Sequence, residues 1–148
     1  MGITLHLNKN RKMKRISIKT MAVALFGLCL SACGGVNQSD PESVAEAAME
    51  CYIKDDYEGM IKLVDPSKTS KIDELTQRAE FVKQNAGKPT STNRSAKFDT
   101  LVYSSIYPNE ASAYYSYTFT DKRGEENTWK MKVVLEKKDS KWWVDRIK

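Results

Sequence analysis

The chain has 148 residues, enough for one domain plus a targeting segment. Its formal net charge of +5 suggests a nucleic-acid partner, but the distribution excludes one. Lys9, Arg11, Lys12, Lys14, Arg15 and Lys19 all precede Cys33, where there is no Asp or Glu; residues 34–148 carry 18 basic against 19 acidic side chains, a formal −1. A near-neutral domain has no surplus of cations with which to release counterions from phosphates. The cysteines are Cys29, Cys33 and Cys51. If the chain is cut before Cys33 and that thiol is modified, Cys51 has no partner for an internal disulfide.

In chain order, the basic stretch Lys9–Arg15 is followed by the apolar run Met21–Leu30 and then by small residues at Ser31 and Ala32. This is the order of a secretory signal, with the cations held on the cytoplasmic side. About ten apolar residues make ~15 Å of helix, short of the ~20 residues that a spanning helix needs. Leu30-Ser31-Ala32-Cys33 resembles the bacterial lipobox. That resemblance implies a diacylglyceryl group on Cys33, with Leu30, Ser31 and Ala32 recognised by the lipoprotein signal peptidase. It divides the chain into a signal peptide (1–32), a lipidated Cys and short tether (33–39) and a domain (40–148). Met13 would begin a signal of more ordinary length, so the start is Met1 or Met13. Gly34, where aspartate often signals inner-membrane retention, implies delivery to the outer membrane if the cell has one. Six tether residues reach at most ~20 Å, which holds the domain close to its bilayer.

Asp40-Pro41-Glu42 opens a first helix through a capping carboxylate, a proline at the first position and an acid at the positive dipole end. Val44, Ala45, Ala48, Met49, Tyr52 and Ile53 recur on one face. A second helix starts at Asp56, with Tyr57, Met60, Ile61 and Val64 inward, and ends at Asp65-Pro66. Asp55 is expected in the left-handed region and Asp56 as the cap of helix two, so these adjacent acids need no metal. A third helix spans about 70–84, with Ile72, Leu75, Ala79 and Val82 inward, and residues 86–94 read as a loop. Strands are expected at 97–107, 111–120, 129–135 and 142–147. Alternation places Phe119 and Trp129 toward the core, with Thr118 and Lys130 outward. Helices followed by strands imply an α+β fold, with N-terminal helices packed on a curved antiparallel sheet of about four strands.

Pro41-Glu42-Ser43-Val44-Ala45, Asp56-Tyr57-Glu58 and Lys141-Trp142-Trp143-Val144-Asp145 resemble the nuclear-transport-factor-2-like (NTF2-like, cystatin-like) superfamily, and more narrowly domain-of-unknown-function family 4878. Asp55 and Trp143 depart from the usual glycine and polar residue. The resemblance implies a cone that Tyr103, Tyr115, Tyr117, Trp129 and Trp142 could line.

Catalytic chemistry is sparse. The lone His6 precedes the domain, which removes histidine triads, bases and metal ligands. Cys51 alone makes no zinc site and reads as a small buried hydrophobe. No cofactor, metal ligand set or catalytic residue is expected. Lys130, Lys132, Lys137, Lys138 and Lys141, interleaved with Glu125, Glu126, Glu136 and Asp139, read as a solvated face. The expected function is a non-catalytic, lipid-anchored cell-envelope module that binds a protein, a glycan or a small apolar ligand, or serves as an accessory or inhibitor domain. The alternative is an enzyme using Asp99, Tyr103, Tyr115, Tyr117 and Asp121 within the cone.

Overall fold

The computed structural model describes residues 35–86 and 93–148. The signal segment, Leu30, Ser31, Ala32, Cys33 and Gly34 lie outside the described residues. Three helices, α1 (Pro41–Lys54), α2 (Tyr57–Ile61) and α3 (Thr69–Gln84), precede four strands, β1 (Arg94–Tyr103), β2 (Glu110–Thr120), β3 (Glu126–Lys138) and β4 (Lys141–Ile147). The strands form one antiparallel sheet in sequence order. The fold class is α+β, as the element order implies.

The joints follow local chemistry. Asp40 accepts a hydrogen bond from the Glu42 N–H at 3.1 Å and caps α1. Asp55 ends α1 at φ 54°, in the left-handed region. Asp56 then caps α2 by accepting from the Gly59 N–H at 2.8 Å. Gly59 is needed here for space: a Cβ would lie 2.3 Å from Asp56 Oδ2 and 2.8 Å from Cys51 Sγ. Asp139 and Ser140 both have positive φ, giving the primed two-residue turn that suits the twist of β3 and β4. β1 ends earlier than expected because Ser104 Oγ accepts from the N–H groups of Ile106 and Tyr107 and folds the chain into a turn.

The core lies between α1 and one face of the sheet. Val44, Ala45, Ala48 and Met49 meet Ala111, Ala113, Tyr115, Tyr117, Met131, Val133, Leu135, Trp142 and Val144. Alanines on both sides let the helix approach closely, and larger side chains fill the surround. Alternation on β2 holds: Ala111, Ala113, Tyr115 and Tyr117 are buried and Phe119 is half-buried. Trp129 corrects the expectation. It stands opposite Tyr117 on the core face and packs edge-on against Phe119, yet is 60% exposed. Facing the core side does not bury a residue that no described helix covers. Val134 is the converse, buried on the outer face beside a bulge that shifts the β3–β4 register.

The helices also differ from expectation. α1 alone packs across all four strands, and α3 approaches α2 but no other element among the described residues. Of the four residues expected inward on α3, only Ala79 is buried; Val82 is exposed, as is neighbouring Phe81 at 66%. α2 stops at Ile61, and the chain beyond it runs along β4, where Leu63 O accepts from the Val144 N–H at 2.8 Å. The tether is likewise docked. Val36 packs against the core, and Gln38 O accepts from the Trp142 N–H at 2.7 Å. Two flanking segments thus occupy donors on the outer edge of β4.

Candidate functional site: a groove between α3 and β4

Because α3 stands off the sheet, a groove of about 290 Å³ opens between it and β4. Tyr52, Met60, Val64, Leu75, Val144 and Ile147 supply its apolar surface. Lys71, Arg78, Arg146, Glu74 and the Tyr57 ring stand around it. Its volume is at the small end of the range for small-molecule sites. A second hollow of about 500 Å³ shares Tyr57, Glu74 and Arg78 and continues along α3 to Phe81 and Val82. Three cations against one acid give the first groove a positive bias. Arg78 donates to Glu74 at 2.7 Å, and Arg146 pairs with Asp145. Burial pushes the Lys71 ammonium below its ordinary pKa, opposed by Asp145. An anionic ligand group beside it would offset that penalty by favouring the charged ammonium.

Sequence reasoning assigned Tyr52, Met60, Val64 and Leu75 to inner helix faces without separating core from groove. Lys71, Arg78 and Arg146 were not singled out. They lie on α3 and β4, elements that only the tertiary fold brings together.

The five candidates for lining a cone cavity have different places. Tyr115, Tyr117 and Trp142 are buried in the core under α1, whereas Tyr103 and Trp129 are exposed on different strands. Tyr115 packs edge-on against Phe98, and its buried hydroxyl has no hydrogen-bond partner among the described residues. Burial, then the charges of Glu46 and Glu42, push its pKa up, so it holds its proton. Tyr117 lies beside Arg94, whose guanidinium spans both carboxylate oxygens of Asp55. Asp55 therefore has a second job besides closing α1: it ties the helix to the start of β1.

The carboxylates proposed for catalysis do not join these tyrosines. Asp99 accepts from Ser116 and from Lys130 on the opposite face, and Lys130 followed by Ser116 holds its pKa down. Asp121 Oδ1 accepts from the backbone N–H groups of Arg123 and Glu125 and shapes the β2–β3 turn. The sheet separates Asp99 from Tyr115 and Tyr117. Among the described residues there is no cluster of three or more Asp, Glu, His or Cys placed to hold a metal. No described helix is long and apolar enough to cross a membrane.

The lysine face is also structural in part. Lys138 donates to Asp65 at 2.8 Å and to Ser67 at 2.9 Å. Lys68 reaches Glu136 at 2.7 Å and Asp145 at 2.6 Å. These bonds strap the segment after α2 around the β4 edge.

The described residues define an α+β domain, a helix laid across an open four-stranded antiparallel sheet, and the chain is similar to several solved structures. One is RPA3114, a SEC-C motif-containing protein from Rhodopseudomonas palustris, with TM-score 0.55 and 11% identity over 78% of this chain and 87% of that one. The chain is also similar to the NTF2 protein Rd1NTF2_05 (TM-score 0.49, 12% identity, 72% of this chain and 93% of that one). A third similar structure, from Campylobacter jejuni, is described as an NTF2-like transpeptidase (TM-score 0.44, 19% identity, 71% of this chain and 96% of that one). At such identities the likeness concerns the fold alone. No protein-family model matches the chain, and no curated protein matches it in sequence.

Proposed function

We propose that this protein is a lipid-anchored cell-envelope module with an NTF2-like domain. In this reading it performs no catalysis and holds a small molecule with an apolar body and an acidic group in the groove between α3 and β4. The observation that carries the binding role is the groove itself, where Tyr52, Met60, Leu75 and Val144 provide apolar area and Lys71, Arg78 and Arg146 provide charge. The anchor is supported by Leu30-Ser31-Ala32-Cys33 following the apolar run, and the narrower relation to family 4878 by the short motifs already given.

Two experiments test the two halves. Cys33→Ser should abolish palmitate labelling and leave an uncleaved precursor; unchanged labelling and cleavage would overturn the anchor. Anilinonaphthalene sulfonate, which joins an apolar body to an anion, should bind the purified protein saturably at one site. Leu75→Asp and Lys71→Glu should each weaken that binding at least tenfold while circular dichroism stays native. Binding that both variants leave unchanged would overturn the groove.

A further inference from the structure

We infer that the end of the sheet carrying the β1–β2 loop and the β3–β4 hairpin is the surface this protein lays against a phospholipid bilayer. The inference rests on the reading that Cys33 is acylated.

The path of the tether brings these pieces together. Gln38 is bonded to Trp142, the second residue of β4, so the chain enters the domain at this end. Cys33 is five residues earlier, a reach of at most about 18 Å. The antiparallel meander collects its turns here: β1 ends at Tyr103, β2 begins at Glu110, β3 ends at Lys138 and β4 begins at Lys141. Asn109 O accepts from the Lys137 N–H at 2.7 Å, and the Tyr103 ring packs against Trp142 at 6.1 Å. Loop, hairpin and tether therefore form one surface.

That surface presents its apolar residues outward. Ile106 is 75% exposed and Tyr107 61%, with Tyr103 also exposed beside them. An aliphatic tip flanked by tyrosines suits the headgroup–acyl boundary, where tyrosine keeps its hydroxyl wet and its ring apolar. Charge adds little. Lys137 and Lys141 are exposed and Lys138 is engaged by Asp65, while Glu110, Asp139, Asp40 and Glu42 lie on the segments meeting at this end. The contact is thus apolar in origin and independent of anionic lipid. It sets orientation, because the acyl group already supplies attachment. Val144, Arg146 and Ile147, which line the groove, lie further along β4, so this pose leaves the groove on the aqueous side.

The test uses the processed full-length product, purified from membranes and reconstituted into phosphatidylcholine vesicles. Ile106→Cys carries an environment-sensitive dye, and Ser95→Cys, near the other end of β1, is the control. Brominated acyl chains should quench the dye at 106 at least threefold more than at 95. Replacing a third of the lipid with phosphatidylglycerol should change neither, and adding Tyr107→Asp should lower quenching at 106 toward the control. Mass spectrometry of the N-terminal peptide reports the acyl group separately. A lipidated protein with equal quenching at the two sites, or with quenching only in anionic vesicles, overturns the docking surface and leaves the anchor standing. A peptide without acyl mass overturns the anchor.

Discussion

α1 and α3 are both amphipathic, of 14 and 16 residues, and end in opposite situations. α1 lies across all four strands and buries Val44, Ala45, Ala48 and Met49, whereas α3, among the described residues, packs on α2 and buries Ala79. A helical period says which face would be covered. Coverage itself depends on what the rest of the chain has already occupied, and α1 occupies the core face of this sheet. What remains for α3 is a margin, and a helix on a margin leaves a groove.

The comparison breaks first if the core is not where burial places it. Leu135→Ala, at a fully buried position under α1, should cost about 2–5 kcal/mol, whereas Val82→Ala on α3 should cost within about 0.5 kcal/mol. Urea melts of the two variants measure this, and similar losses would mean that α3 is as covered as α1. Next in size is the close approach of α2 to the end of α1. Gly59→Ala drives a methyl against Asp56 and Cys51 and should cost about 1–3 kcal/mol, read as a lower midpoint at unchanged denaturant slope.

Asp55→Gly sharpens the comparison further. The substitution relieves positive-φ strain of about 1 kcal/mol but gives up two charge-assisted bonds to Arg94, together worth about 1.5–3 kcal/mol. The expected net is a destabilisation of about 1 kcal/mol. A calorimetric midpoint at or above wild type would show that the ion pair does not hold α1 to β1. Asp65 offers a pH test. Its hydrogen bond from Lys138, reinforced by the Ser67 N–H, lowers its pKa from 3.8 to about 2. Because the folded-state value is depressed, the stabilisation is present above the ordinary value and is lost as pH falls from about 4 through 2. Asp65→Asn should flatten the acid limb of the stability profile in that window. The smallest effect expected is at Tyr115. Tyr115→Phe removes a buried hydroxyl without a partner among the described residues and should be neutral or stabilising by up to about 1 kcal/mol.

What was legible in the sequence was local. Asp40 and Asp56 act within a few residues of themselves, as does Asp55 in closing α1, so these capping and turn roles could be read from neighbours alone; the Asp55 pair with Arg94, from far along the chain, could not. Period-two alternation placed Ala111 through Tyr117 because a strand's faces are set by the backbone. Trp129 and Val134 escaped because burial needs a second layer, and nothing local to β3 says where α1 ends or which residues shield the outer face. Gly34 to Ser39 read as a plain tether because Gly, Asn, Gln and Ser carry no periodic signal; Val36 packs on the core, and Gln38 is held by Trp142, about a hundred residues away. The groove escaped for the same reason. Its apolar residues were recognised, but its cations become neighbours only when α3 and β4 are in place.

The two borders of the sheet are unequal, and this limits how copies of the domain can join. Along β4, Gln38 and Leu63 already take the Trp142 and Val144 amides. β1 has β2 as its single strand neighbour among the described residues. Bonded amides cannot pair with an incoming strand, so Gln38 and Leu63 remove two positions of the β4 border as a template for another chain.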